Sequence, residues 1–411
     1  MTAATAPTVT PWYFKPSAII VTSCLIAIVN FGVRSTFGQF TLPISEAHQW
    51  HRETYSLAIA FQNLLWGIAT PIAGALADRY GSSRVLMAGA VLYALGVAMM
   101  NYAGTPWMMN VGGGLIAGVG IAMSSFSIVM AALGRLVPPE RRSWAFGIAT
   151  ASGSLGQFVF SPIAGLLISA YDWHVSLLVM AASTLIIIPL ALPLLIQNTS
   201  TSRAEVGETT LNMREALGHA FKHRSYLLLV AGFFVCGFQL AFVTVHLPPY
   251  LAQHGISKEF AGWAMALIGL FNVVGSYTSG IIGGRGEKRV PLSVIYILRS
   301  VAVSAFILLP ITQTSTLVFT ATMGLLWLST VPLTMGLVTV MFGTRYMATL
   351  YGFVFLSHQI GSFLGVWLGG KLFDVFGTYD PVWWMGVGLG LFAALINLPI
   401  RELRAPRFAA A

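Results

Sequence analysis

Arg34 and His358 stand deep inside long apolar runs, while all 13 Asp and Glu residues, from Glu46 to Glu402, fall in polar gaps or at run ends. An ionisable side chain held in apolar surroundings is costly and marks function by default. The buried charge is positive and no buried acid neutralises it, so the matching partner is an anion. A guanidinium presents a planar fork of donors that meets a carboxylate two bonds at a time. Asn30, Arg34 and Gly38 follow at i, i+4 and i+8 and share one helix face. His358, followed by Gln359, has two readings. It is a second anion contact and proton carrier, since imidazole ordinarily titrates near pH 6.5, or a neutral histidine bonded to a neighbouring helix. Gln239, with Asn63 and Gln157, can hydrogen-bond either a bound molecule or an adjacent helix. Trp66 and Trp327 either shape a cavity or pack in the core. His246 precedes Pro248-Pro249, where a helix must distort, and reads as part of an outer gate or as a structural histidine. Arg299, only about eight residues into its run by the count along the chain, is expected to snorkel to the nearer interface. Nothing in the sequence supports catalysis. There is no HExxH, nucleophile elbow or carboxylate pair, and Gly112-Gly113-Gly114 lacks the strand and the Lys-Ser/Thr of a phosphate loop. Cys24 and Cys236 lie far apart in apolar runs with no second ligand nearby, so they read as packing residues, with no metal or cofactor implied.

The composition around these residues excludes most soluble classes. Of 411 residues, 56% are hydrophobic and 9% charged, and mean hydropathy is +0.78; soluble domains carry about 25% charged residues. The formal net charge of +9 is scattered through short gaps between apolar runs, which is not a nucleic-acid surface. A membrane span needs roughly 20 apolar residues. Twelve candidates meet this: 17–41, 54–77, 84–103, 107–134, 144–170, 174–196, 225–250, 260–283, 290–311, 315–342, 348–373 and 381–400. The run after the polar first 15 residues is too long for a signal-peptide core and reads as a retained span. With both termini cytoplasmic, the inside gaps hold 17 Lys and Arg and the outside ends hold Arg52, Lys258 and Lys371. That asymmetry fixes the orientation by the positive-inside rule. The longest polar stretch divides the chain into a six-helix bundle over 1–196, a linker over 197–224 and a second bundle over 225–411. Within the linker, Asn212 and Glu215 form a capping-box pattern that opens a short surface helix.

Corresponding spans of the two halves carry corresponding signals, as parallel repeats do. Span two ends Gly74-Ala-Leu-Ala-Asp78-Arg79-Tyr-Gly81-Ser-Ser-Arg84, and span eight ends Gly280-Ile-Ile-Gly-Gly-Arg285-Gly-Glu287-Lys288-Arg289. The first segment resembles the loop 2–3 signature of the major facilitator superfamily, G-x-L-a-D-R-x-G. The resemblance implies an all-α membrane fold of twelve helices in two pseudo-symmetric halves. It also implies an inner latch in which Asp78, Arg79 and Arg84 cap and pair with neighbouring helix ends. In the second half Gly284 replaces the aspartate, so the latch is asymmetric.

Asn30-Phe-Gly-Val-Arg34-Ser35, Gly237-Phe-Gln239 and His246-Leu-Pro248 make the chain resemble the monocarboxylate-transporter and oxalate/formate-antiporter branch. That resemblance implies a monomeric inner-membrane carrier of a small mono- or dicarboxylate, coupled to a proton or a counter-anion. Arg34 would occupy the branch's basic position in span one. His358 would stand in the span that carries a lysine in oxalate/formate relatives. The chain departs from the branch in span eight, where Asn272 and Ser276 replace an Asp/Arg pair; this leaves Asn272 as a polar contact and puts the proton relay in question. An exporter of neutral or anionic metabolites is the alternative, because span five, with Gly153, Gly156, Pro162 and Gly165, loosely resembles an antiporter signature. A ligand sensor without flux is the other, although no output domain is present.

Overall fold

The computed structural model describes residues 16–125, 128–129, 139–195, 211, 213–343 and 347–408, and the side chains of Asp78 and Arg79 lie outside the described residues. Among the described residues the chain is helical and contains no strand. The first part comprises α1 (Pro16–Ser35), α2 (Thr41–His48), α3 (Arg52–Tyr80), α4 (Ser82–Asn101), α5 (Pro106–Met109), α6 (Ala117–Met123), α7 (Pro139–Ala170), α8 (Trp173–Leu185) and α9 (Ile187–Ala191). After α10 (Met213–Ala220) come α11 (Arg224–Gln253), α12 (Lys258–Arg285), α13 (Arg289–Leu308), α14 (Gln313–Leu326), α15 (Thr330–Phe342), α16 (Met347–Phe376) and α17 (Asp380–Asn397). Eleven helical stretches among the described residues are long and apolar enough to cross a membrane. The twelfth expected span, α17, is outside that set; its 18 residues include Asp380 and Asn397 at the two ends.

Three local expectations are revised. Span ten is not one helix: it opens between α14 and α15, at Trp327–Ser329. Span four winds as a π-helix over Asn110–Ile116, where Gly112 to Gly114 add no side-chain bulk, and α6 ends at Met123. Helix α11 runs from Arg224 to Gln253 straight through Pro248 and Pro249. The surface helix α10 is present, but its expected cap, Asn212, lies outside the described residues. Gly81 ends the signature segment at φ 92° and ψ 141°, a backbone that a side chain rarely adopts, and so turns α3 into α4.

Burial organises the helices into two clusters. One gathers residues from Ile19 to Leu194 with Ala241, Val245 and Val366; the other gathers residues from Ala216 to Phe408. They meet along two antiparallel seams, α3 on α16 and α7 on α12. In the first seam, the Asp374 carboxylate accepts from the backbone N–H groups of Arg52 (3.2 Å) and Glu53 (2.8 Å), capping α3 from the other cluster. Glu53 accepts from Trp367 Nε1 (3.0 Å) and pairs with Lys371 (3.7 Å). Further along, Gln359 Nε2 donates to the Asn63 carbonyl at 3.0 Å. In the second seam, Gln157 Nε2 donates to the Met265 carbonyl (2.8 Å) and Asn272 Nδ2 to Ser154 Oγ (2.8 Å). Among the described residues the ties of the first seam run from Arg52–Asp374, at the end away from the chain termini, to Asn63–Gln359, and those of the second lie midway along α7 and α12.

The uninterrupted course of α11 explains a third contact at that end. Proline has no N–H, so Pro248 and Pro249 leave the carbonyls four residues earlier, those of Thr244 and Val245, without their usual helical donors. Gly38 packs directly on Thr244 and Val245, and Thr41 Oγ1 donates to the Val245 carbonyl at 3.4 Å. The two prolines therefore create a docking face instead of a kink. A side chain at position 38 would overlap the Thr244 carbonyl. Such overpacking costs roughly 1–3 kcal/mol. Gly38→Leu is therefore expected to hold this end apart. A membrane-impermeant maleimide should label Leu42→Cys about tenfold faster in the Gly38→Leu background, and an unchanged rate would show that the Gly38 contact does not close the end.

Candidate functional site

Arg34 lies in the last turn of α1, where unsatisfied helix carbonyls and the negative end of the helix dipole favour a cation. The 3-10 turn Phe37–Phe40 then carries the same apolar stretch onward. Arg34 as a residue is half-buried. Its Nη2 donates to Asn63 Oδ1 at 2.7 Å, and its Cζ lies 4.5 Å from the Trp66 ring centroid. Among the described residues no carboxylate pairs with it; the ion pairs there involve Lys288, Arg289 and Lys371. The cation is thus oriented by an amide oxygen and an indole face, with its charge not neutralised by an acid. Asn63 is itself fixed, because its Nδ2 donates to the Ile59 carbonyl at 2.8 Å.

From Asn63 and Trp66 the site crosses to α16 by two routes. The polar route is Gln359 Nε2 to the Asn63 carbonyl, with Gln359 Oε1 accepting from His358 Nδ1 at 2.9 Å in the matching tautomer. The aromatic route is Trp66 edge-on to Phe355 at 5.2 Å, and Phe355 stacked on His358 at 5.6 Å. Arg34, His358 and Gln359 therefore belong to one assembly spanning both clusters. Asn30 is one turn below Arg34, with Nδ2 donating to Ser124 Oγ at 2.7 Å. Gly67 lets α3 approach Gln359 closely.

Other residues singled out by the sequence lie elsewhere. Asn272 uses both ends of its amide, on Ser154 Oγ and on the backbone N–H of Leu328 (2.9 Å), at the second seam. Gln239 Nε2 donates to the Gly386 carbonyl at 2.8 Å, inside the second cluster. His246 is fully buried against Gly369, its Nε2 2.8 Å from the Val366 carbonyl, one residue beyond the Gly38 docking face. Arg84 is exposed at the start of α4, and no side-chain position is described for Asp78 or Arg79.

Arg299 contradicts its expected snorkelling. It is 0% exposed. Its Nε (3.1 Å) and Nη2 (2.6 Å) donate to the Leu326 carbonyl, Nη2 also to the Trp327 carbonyl, and Nη1 to Cys236 Sγ at 3.5 Å. The cause is the opening in span ten. The end of α14 exposes carbonyls and the negative end of a helix dipole, which satisfy a guanidinium without a trip to the interface. The sequence carries one mark of that opening that was passed over: Pro332, in the first turn of α15, has no N–H for the Leu328 carbonyl inside the gap. The Arg52–Glu53–Lys371–Asp374 clasp was also missed, because its members are some 320 positions apart and each reads as a topology marker.

The comparisons with known proteins agree with this architecture. Residues 23–366 match the Major Facilitator Superfamily. The chain is 26% identical over 368 residues to monocarboxylate transporter 13 of Rattus norvegicus, covering 88% of this chain and 83% of that protein. It is 22% identical to the uncharacterized MFS-type transporter YcxA of Bacillus subtilis (strain 168), covering 87% and 88%. Among solved structures it is similar to a bacterial homolog of the human lysosomal transporter Spinster in an inward-facing, unoccupied conformation, with a TM-score of 0.72, 14% identity and 95% of both chains covered. It is also similar to the nucleoside transporter NupG, with a TM-score of 0.74, 16% identity and 93% and 99% covered. A match over most of the chain, the helical architecture and the membrane-length apolar helices lead to one conclusion: the chain belongs to the Major Facilitator Superfamily and is a multi-pass membrane transport protein, not an enzyme.

Proposed function

We propose that the protein is a secondary active carrier of a small organic anion, working by alternating access. The observation that carries this reading is Arg34: a half-buried arginine within an apolar span, its guanidinium oriented by Asn63 and Trp66 and paired with no described carboxylate. The relatives named monocarboxylate transporters, at 26% identity and below, support a carboxylate as cargo. In this reading α17 is the twelfth span, both termini are cytoplasmic in the inner membrane, and bundles 1–196 and 225–411 rock about the linker as a monomer. The clasps at Asp374 and Gly38 then close the outer side, and Asp78, Arg79 and Arg84 latch the inner side in the opposite state. His358, joined to Arg34 through Gln359 and Asn63, is the second anion contact or the proton carrier, giving proton symport or anion exchange. Substrate contacts fall to Arg34, His358, Asn30 and Gln359, whereas Gln239 and Asn272 act through helix packing and His246 supports the outer gate.

Solute counterflow in proteoliposomes tests this. Vesicles preloaded with an unlabelled carboxylate should take up the labelled compound transiently, and the uptake should depend on the trans load. Counterflow of neutral compounds alone, with none for carboxylates, would replace the reading with the metabolite exporter.

A further inference from the structure

We infer that the site selects a flat, apolar carboxylate, with an aryl carboxylate as the representative class, over small hydroxy or keto acids and dicarboxylates. The inference rests on the anion reading of Arg34 and deepens it. The amides beside Arg34 are already engaged: Asn63 holds Arg34 and the Ile59 carbonyl, Gln359 holds the Asn63 carbonyl and His358, and Asn30 holds Ser124. A second carboxylate would bring a further charge that none of these amides neutralises, which is costly when buried, and a small hydroxy or keto acid would leave the surrounding ring surface uncovered. The other buried cation, Arg299, is engaged with the carbonyls of Leu326 and Trp327.

What the surroundings offer instead is ring surface. Trp66 carries the guanidinium on its face and meets Phe31 edge-on at 6.4 Å and Phe355 edge-on at 5.2 Å. Phe355 packs against both clusters, so it lies where the two halves of the fold face each other, and both Phe31 and Phe355 are half-buried. Aromatic partners favour stacked or edge-to-face geometry and add to simple area burial. Two polar atoms in the same surroundings have no hydrogen-bond partner among the described residues: the hydroxyl of Tyr93, an electrostatic neighbour of Arg34, and Nε1 of Trp66, which is 7% exposed. A carboxylate drawn to Arg34 supplies an acceptor for that N–H, and a flat apolar body behind it meets the rings.

The test is calorimetric titration of the detergent-purified full chain with benzoate, phenylacetate, pyruvate, succinate and the neutral isostere benzamide. Benzoate and phenylacetate are expected to bind about tenfold tighter than pyruvate or succinate. Phe355→Leu and Phe31→Leu are each expected to weaken benzoate about fivefold while changing pyruvate less than about twofold, whereas Trp66→Leu, which also removes the indole N–H and the face under Arg34, should weaken both. Both phenylalanine variants are compared with wild type in melting temperature, so that a folding defect in one leaves the other decisive. Pyruvate or succinate binding as tightly as benzoate, with Arg34→Gln removing both, would overturn the aryl preference and leave the anion reading standing. Benzamide binding as tightly as benzoate, or no binding by any carboxylate, would overturn both.

Discussion

Arg34→Gln is expected to reduce carboxylate uptake into proteoliposomes by about a hundredfold or more, while the purified variant melts within a few degrees of wild type. Charge-assisted hydrogen bonds contribute roughly 1.5–3 kcal/mol each, and a guanidinium fork makes two of them to one carboxylate. Losing about 3 kcal/mol corresponds to rather more than a hundredfold. Stability should hold because the cation is itself costly where it stands. Its fixed partners are one amide oxygen and one indole face, and glutamine offers an amide of similar reach. Arg34→Lys separates charge from geometry. It keeps the cation but replaces the fork with a compact ammonium, so uptake should fall about tenfold instead. Labelled-carboxylate uptake and a thermal melt on the same preparations decide the matter. Uptake by Arg34→Gln equal to wild type would remove Arg34 from substrate binding. Loss of uptake together with a collapsed melt would mean that the arginine holds the fold instead.

Much of the architecture was legible because bilayer physics writes it into composition. Long apolar runs, basic gaps and the Gly74–Arg84 segment needed no tertiary knowledge, and Gly81 shows why the signature ends in glycine, at φ 92°. Arg34 was visible for the same reason, as a charge where charge is costly. The partners of these residues were not visible. Asn63 and Gln359 meet across 296 positions of chain, and only packing decides that Asn63 orients Arg34 while Asn272, no less polar, ties Ser154 to Leu328. Pro248-Pro249 was read as a distortion because a missing N–H removes a helical bond. Local sequence could not show that Gly38 and Thr41 would cover the released carbonyls. Arg299 was misplaced for a related reason: Pro332 hints at the opening at Trp327–Ser329, but that groups from two other helices cover it is a tertiary feature.

That opening should make Arg299→Gln the most destabilising single change in the second cluster. Arg299 satisfies the carbonyls of Leu326 and Trp327 at the end of α14, Asn272 accepts from the Leu328 N–H, and Ser279 Oγ donates to the Ser329 carbonyl. Three donors or acceptors thus replace the helical bonds that span ten gives up there. Removing the guanidinium leaves buried carbonyls unpaired in apolar surroundings, at roughly 1–3 kcal/mol each, so a loss of about 3–5 kcal/mol is expected. At a fixed scan rate the melting temperature should then fall by about 5–10 °C. Arg299→Lys keeps the charge but its ammonium lacks the fork that reaches both carbonyls, so it should lose about half as much. Hydrogen exchange gives a readout that general loosening would not reproduce: the amides of Leu328 to Val331 should exchange faster before the rest of α14 and α15 do. Because Asn272 joins this opening to Ser154 across the seam, the variant should also weaken the α7–α12 contact and slow transport without changing carboxylate affinity. An Arg299→Gln protein that melts like wild type but no longer binds carboxylate would reverse the assignment, making Arg299 a substrate group and the carbonyl contacts incidental.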